Sequence, residues 1–349
     1  MLKSRLFWPI LVLVIILAIN LFVDPGFFKV EVKNGHLTGS LVDIVNRGAP
    51  LILISIGMTL VIATKGIDLG VGSVVAMSGA MAAMTIGQSM ASDTSLTPLF
   101  IAIAAALGLS LAAGLWNGLL VSRIGIQPIV ATLILMVAGR GIAQLITNGQ
   151  ITTIYYEPYS FIGGGYLLTI PFSVYLVAAV LAIALFMTKK TALGLFIQSV
   201  GSNPEASRLA GINSKNIILL VYVFSGFCAG VGGLILSSNV ASADGNNAGL
   251  WFELDAILAV VIGGTSLMGG RFFLMGSVIG ALIIQSLTTT IYSIGIPPET
   301  NLLVKAIVVI IVCLLQSSEF RQKVLRPRTR KPLKKEPENS SNEQEVKIS

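Results

Sequence analysis

Charge is scarce in this chain. Of 349 residues, 23 are Lys or Arg and 16 are Asp or Glu, together 11% of the sequence, against roughly 25% in soluble domains. That shortage, beside 54% hydrophobic residues and a mean hydropathy of +0.86, excludes a soluble domain and marks an integral membrane protein. Histidine is scarcer still: His36 stands alone, which excludes a multi-histidine metal site, and no metal is expected. The two cysteines, Cys228 and Cys313, both fall inside apolar segments, so a disulfide framework is not expected and no redox compartment follows. The dipeptide Gly-Lys never occurs, so the chain has no Walker A loop with which to cradle ATP phosphates. HExxH, GxSxG and Cys/His ligand clusters are also missing. These gaps count against an enzyme, although a membrane enzyme with a scattered site stays open. The net charge of +7 does not point to nucleic acid, because most of the surplus sits in one tail. Residues 321–335 are basic and the remainder, EPENSSNEQEVKIS, is polar, as in a disordered cytosolic tail.

What is abundant is apolar sequence and glycine, 36 residues of it, as in transmembrane helices that pack through small side chains. A bilayer span needs about 20 largely apolar residues. Such segments occur at 6–23, 49–64, 70–88, 98–121, 128–147, 170–187, 216–238, 254–267, 274–292 and 300–316. The expected fold is therefore all-α and polytopic, with about ten transmembrane helices. Residues 1–5 form a short cytoplasmic N-terminus, 6–320 a single membrane domain and 321–349 the tail. The first segment, lacking an obvious small-residue cleavage site before Asp24-Pro25, reads as an uncleaved span. If the N-terminus is cytoplasmic and the sides alternate, Lys3, Arg5, Lys65, Arg123, Lys189, Lys190, Arg208, Lys215, Arg271 and the tail lie inside. Only Lys29, Lys33 and Arg47 then lie outside. The positive-inside bias thus predicts both termini in the cytoplasm.

Two spans read as short and broken. Segment 49–64 runs into KGIDLGVGS at 65–73, and segment 254–267 contains Gly263-Gly264 and runs into SLMGGRF at 266–272. The stretches LVIATKGIDLGVGS and AVVIGGTSLMGGRF resemble each other weakly. Paired glycine-interrupted segments point to a translocation pathway, while simple close packing explains glycine equally well. Gly66, Asp68, Gly72, Gly263, Gly264, Gly269 and Gly270 carry this motif, with Asp68 expected to cap or anchor a half-helix.

The longest polar interruption inside the apolar run is 188–216, TKKTALGLFIQSVGSNPEASRLAGINSKN, in which Lys189, Lys190, Arg208 and Lys215 face a single Glu205. A solvated cytoplasmic loop would account for its charge. Its small and apolar residues fit instead a short helix that docks on a cytoplasmic partner, opened by Asn203 as N-cap and Pro204 at the first helical position. Gly194, Gly201, Asn203, Pro204, Ala206, Arg208 and Gly211 are the residues expected to carry that coupling.

Polar groups within spans are costly and mark candidate functional positions: Asn117, Gln127, Arg140, Gln144 and Gln285. Arg140 lies between Gly139 and Gly141, which would admit a second backbone, and a structural arginine bonded to carbonyls is the competing reading. The loop 242–253, SADGNNAGLWFE, offers amides and a carboxylate (Asp244, Asn246, Asn247) beside an aromatic face (Trp251), as a sugar ring requires. A polar turn followed by an interfacial Trp anchor reads equally well. Asn117, Arg140, Gln144, Asp244, Asn246, Asn247 and Trp251 are the candidate pathway or sugar contacts. An ion-coupled secondary transporter would bury carboxylates at mid-membrane, and almost none are expected there.

Three stretches together carry a family resemblance: IGMTLVIATKGIDLGVGSVVAMSGA (56–80), TALGLFIQSVGSNPEASRLAGI (191–212) and ELDAILAVVIGGTSLMGG (253–270). They resemble the permease subunits of bacterial ABC sugar importers of the ribose/arabinose/galactoside type, over nearly the whole chain except the tail. VATLILMVAGRGIAQLITNGQI (130–151) and ADGNNAGLWFELDAILAVVIGG (243–264) lean toward the branch that imports galactofuranose, and ribose-type members share less of them. Gly70 departs from the Ser usual in that motif. The resemblance implies a translocating subunit without catalytic residues and with no cofactor of its own. ATP and Mg would sit on a partner ATPase, and a periplasmic or extracellular sugar-binding protein and a second permease copy or sister would complete the assembly. It also implies a bacterial inner-membrane location and alternating access driven through the coupling segment 188–216.

Overall fold

The computed structural model describes residues 6–23, 26–33, 35–87, 95–295, 297, 300, 302–307, 310 and 314. The tail at 321–349 and residues 1–5 lie outside the described residues. Twelve α-helices are present among those described: α1 (Phe7–Val23), α2 (Ser40–Ala63), α3 (Val71–Ile86), α4 (Thr97–Leu119), α5 (Pro128–Ile146), α6 (Glu157–Gly164), α7 (Phe172–Lys190), α8 (Leu193–Ser202), α9 (Pro204–Leu209), α10 (Ser214–Val240), α11 (Phe252–Ile262) and α12 (Leu274–Ser293). A π-helical turn, Leu120–Ile124, prolongs α4, and residues 302–307 are also helical. Among the described residues, strand is confined to three two-stranded antiparallel ladders. These pair β1 (Glu31–Lys33) with β2 (His36–Thr38), β3 (Thr152–Thr153) with β6 (Ser242–Ala243), and β4 (Tyr166–Leu167) with β5 (Ile170–Pro171). The fold is all-α and polytopic.

Among the described residues, six helices are long and apolar enough to cross a membrane: α2, α4 with its π turn, α5, α7, α10 and α12. The remaining expected segments appear as α1, with 17 residues, α3, with 16, α11, with 11, and the partly described helix at 302–307. One expectation is corrected. Segment 49–64 is not short, because α2 begins at Ser40 and runs 24 residues. Polar residues in 40–48 hide this start from an apolar scan. Asp43 lies in the first turn, where the helix dipole favours an acid, and Asn46 accepts a hydrogen bond from Ser173 of α7. The short partner of α11 is α3.

Helices α2 and α10 form the centre. Every α2 residue from Gly48 to Ala63 is buried, and α10 is packed by α2, α3 and α4. Small residues let these backbones meet. A Cβ on Gly57 would lie 2.9 Å from Ser225 Cα, one on Gly226 2.6 Å from the Ser110 carbonyl, and one on Gly233 2.5 Å from the Val75 carbonyl. Lipid offers no hydrophobic drive between helices, so such close approach supplies the dispersion contact that holds them.

The elements define two ends. One gathers the three ladders, with Leu37 N–H donating to the Thr169 carbonyl at 2.9 Å. The other gathers the turns 64–70 and 263–273 with α8 and α9. There, Gly270 N–H donates to the Ala63 carbonyl and Lys65 Nζ to the Ser202 carbonyl, each at 2.9 Å. α10 runs from the turn end to the ladder end.

Lys305, expected inside a span, is paired. Its Nζ lies 2.9 Å from Asp255 Oδ2, with side chains only 12% and 14% exposed, tying 302–307 to α11. Removing one partner of such a buried pair leaves an uncompensated charge and costs about 3–5 kcal/mol. Asp255→Ala in purified protein should therefore lower the Tm sharply, whereas Asp255→Asn combined with Lys305→Met should recover most of the loss. Equal Tm for Asp255→Ala and wild type would contradict a structural role for the pair.

Candidate functional site

The chain reverses after α2 through a buried turn. Asp68, 3% exposed, holds it: Oδ1 accepts from Gly70 N–H at 3.1 Å and from Asn117 Nδ2 at 3.2 Å, and Oδ2 accepts from Ser225 Oγ at 3.0 Å. Gly66 lies against Tyr222, where a Cβ would come within 2.6 Å of its hydroxyl. Ser225 sits about 16 Å along α10 from Ser214, at 1.5 Å per residue. The turn therefore climbs back to near the middle of α10 before α3 starts. Asn117 belongs to this cluster and lies apart from the other proposed pathway residues.

The loop between α10 and α11 folds inward to meet the start of α3. At Gly72, a Cβ would lie 2.6 Å from the Gly249 carbonyl oxygen and 2.2 Å from Glu253 Oε2. The N-termini of two interrupted helices, α3 and α11, thus face one another deep in the bundle. Ser73 Oγ bonds the carbonyls of Gly70 and Leu135 at 2.8 and 3.0 Å, joining α3 to α5. Gly139 permits that contact, since its Cβ would fall 2.6 Å from Ser73 Oγ, while Gly141 faces open space.

Five of the proposed pathway residues come together where α5 supports this loop. Arg140 Nη1 donates to the Ala248 carbonyl, and Gln144 Nε2 donates to Asn246 Oδ1. Asp244 Oδ1 accepts from the backbone N–H groups of Asn246 (2.8 Å) and Asn247 (3.2 Å), and its Oδ2 accepts from Asn247 Nδ2 at 2.7 Å. Burial alone would raise the Asp244 carboxyl, but those bonds, with Arg140 nearby, hold it below the usual carboxylate range. Trp251 caps α11 in the left-handed region, φ 67°, and is half-exposed. Beneath the loop lies a cavity of about 310 Å³ between α3 and α10, lined by Val75, Gly79, Gly233, Ser237, Asp244 and Asn247 among others.

At the turn end the glycine motif closes on α8. Gly201 is buried, and its Cβ would lie 1.8 Å from the Ala63 carbonyl and 2.7 Å from Gly270 N. Gly194 is equally tight against the Thr188 carbonyl. Gly269 and Gly270, at φ 76° and 77°, make the left-handed turn that brings the Gly270 N–H to Ala63, a geometry other residues resist. Gly263 packs on Gly276 of α12, while Gly264 faces open space. Beyond this packed base, Asn203 caps α9 as the sequence predicts, accepting from the N–H groups of Glu205 at 3.0 Å and Ala206 at 3.1 Å, with Pro204 in the first turn. Asn203, Pro204, Ala206, Arg208 and Gly211 are exposed, and Leu209 is 85% exposed. The coupling candidates divide accordingly into buried glycines that seat α8 and exposed residues that present α9.

Two carboxylates are buried in the bundle, Asp68 and Glu253, at 3% and 1% exposure. Glu253 was legible only as a loop residue, because its burial depends on α3 arriving from 180 positions earlier in sequence. The position of Ser225 as a donor to Asp68 likewise follows from helix phase, which an apolar run does not reveal.

Residues 40–313 match the family model described as a branched-chain amino acid transport system/permease component. The chain is 52% identical to the galactofuranose transporter permease protein YtfT of Escherichia coli K12, over 91% of this chain and 93% of that one. It is 38% identical to the fructose import permease protein FruF of Bifidobacterium longum, covering 96% and 94% of the two chains. It is 35% identical to the ribose import permease protein RbsC of Escherichia coli K12, covering 89% and 93%. No solved structure matches. A match over most of the chain, together with interrupted helices meeting inside an apolar bundle, places this protein in the family of transport-system permease components.

Proposed function

We propose that this chain is the membrane-spanning subunit of an ATP-driven importer of a monosaccharide, galactofuranose or a related galactose form. The observation that carries the substrate is the 52% identity, nearly end to end, with a galactofuranose permease. The family model's description names branched-chain amino acids, but the full-length relatives named here transport sugars. The amide-rich loop with Asp244, Asn246, Asn247 and Trp251 also suits hydroxyl groups better than an aliphatic side chain.

In this reading the ladder end faces outward and receives sugar from a binding protein. The turn end faces the cytoplasm, with both termini on that side of the bacterial inner membrane. Residues 6–320 form one permease domain that works with a second copy or a sister chain, and the charged tail lies in the cytosol. The chain has no catalytic role, and ATP and Mg act on the partner ATPase. The exposed helix α9 seats in that partner. Nucleotide binding shifts the permease between two states only through the ATPase's differential affinity for them. Specificity resides chiefly in the binding protein, so no tight sugar site in the membrane is required.

Buried Glu253 favours testing a second reading, an ion-coupled transporter that works alone. Uptake of radiolabelled galactofuranose or galactose in vesicles, with and without the neighbouring ATPase and binding protein, separates the two. Uptake that needs both partners is expected. Uptake by this chain alone, driven by a proton or sodium gradient, would overturn the proposal.

Coupling has its own test. Gly201→Trp would collide with the Ala63 backbone and disturb the fold, so it cannot report docking. Ala206→Arg places a long cation on exposed α9 and should cut ATP-driven uptake by roughly tenfold or more, as expected for an interface position losing at least 1.4 kcal/mol. Expression and Tm should be unchanged. Normal uptake in this variant would sink the coupling assignment.

A further inference from the structure

Three deep acidic side chains are described, and their surroundings differ. Both oxygens of Asp68 accept hydrogen bonds, and Asp255 is paired with Lys305. Glu253 is 1% exposed and neither of its carboxylate oxygens has a hydrogen-bond partner among the described residues. A carboxyl in that condition is expensive to ionise unless another state of the protein supplies its partner. The helix N-termini of α3 and α11 soften the cost but leave the oxygens open.

The cation whose charge acts on Glu253 is Arg140. Glu253 and Asp244 are the carboxylates whose charge acts on it. Asp244 is already occupied by the N–H groups of Asn246 and Asn247, so Glu253 is the vacant acceptor. Arg140 is held at the Ala248 carbonyl. The very next carbonyl, that of Gly249, and Glu253 Oε2 both fall within 2.6 Å of the point where a Cβ on Gly72 would sit. One peptide unit therefore separates the guanidinium's present anchor from the carboxylate's neighbour. The loop between them is strained at both ends, since the non-glycine residues Ala241 (φ 51°) and Trp251 (φ 67°) stand in the left-handed region. Strain at such positions characterises segments that switch.

We propose that Glu253 is a positioning residue for transport, receiving the Arg140 guanidinium in the opposite state of the cycle. As the 242–253 loop shifts, Arg140 exchanges the Ala248 carbonyl for the Glu253 carboxylate. The exchange couples the loop above the cavity to the facing starts of α3 and α11, and neither contact acts on the sugar directly. The inference rests on the importer reading. It extends that reading by naming the pair of charges that distinguishes the two permease states.

The test is a double-mutant cycle in the complete importer, reconstituted in proteoliposomes with its ATPase and binding protein. Uptake and ATP hydrolysis are measured for Glu253→Gln, Arg140→Gln, the double variant and Glu253→Asp. Wild-type dependence on both partners is read first, and its absence would contradict the importer reading independently of the cycle. For the pair to be real, each single Gln variant should lose about tenfold in uptake, with a double variant no worse than either single, the non-additivity of coupled residues. Glu253→Asp, which keeps the charge, should recover much of the uptake, and ATP hydrolysis should persist in all four. Losses that multiply in the double variant, or uptake by Glu253→Gln within twofold of wild type, would overturn the proposal. Should Glu253→Gln fail to fold, Glu253→Met and Arg140→Met against their double decide by the same criterion.

Discussion

A bilayer interior offers no water, so every backbone group freed by a break in a helix must be satisfied by the protein itself. The rest of this structure depends on how that demand is met twice. After α2 the chain turns back through 64–70, where Asp68 accepts the Gly70 N–H and binds α4 and α10 in the same stroke. After α11 it turns through 263–273, where the Gly270 N–H finds the Ala63 carbonyl at the end of α2. Each break completes the other, and both stand on the same base. Because the first break is satisfied, α3 can begin inside the bundle, where its positive end meets that of α11 across Gly72, Gly249 and Glu253.

That base also carries α8. Gly201 is pressed against the Ala63 carbonyl and Gly270 N, and Lys65 reaches the Ser202 carbonyl. Only a few residues separate this contact from α9, whose capped turn projects at the exposed surface. Displacement of α9 by a docked partner would bear directly on the ends of α2 and α11, and through the two turns on the interrupted helices above. Packed elements of this kind respond by switching between arrangements, because close-packed interiors deform poorly. The route from the exposed face of α9 to the base of the interrupted helices is thus short and built mostly of backbone contacts.

Much of this was legible in the sequence, for identifiable reasons. Asn203-Pro204 announces a capped helix start because both residues act locally. Glycine pairs at 263–264 and 269–270, and the GIDLGVG stretch, mark the breaks because glycine alone tolerates those conformations and approaches. Arg140 and the Asp/Asn loop stood out because polar groups are rare in so apolar a chain. The early start of α2 was hidden by polar residues at a helix end. The pairing of Lys305 with Asp255, and the burial of Glu253 beneath α3, depend on elements 50 and 180 positions apart, which no local pattern encodes. Gly201 was legible as important, but its role is to seat α8 against α2, a matter of which face it presents.

The central claim is that the 242–253 loop covers a pathway whose access is set by nucleotide on a partner ATPase. It is tested most directly by labelling Asn247→Cys, in a background lacking Cys228 and Cys313, with a membrane-impermeant thiol reagent applied from the ladder side. In the assembled importer, the labelling rate should change several-fold when the ATPase is trapped with nucleotide, and Ala206→Arg should abolish that change. A labelling rate independent of nucleotide state, in a complex that still transports, would contradict the account.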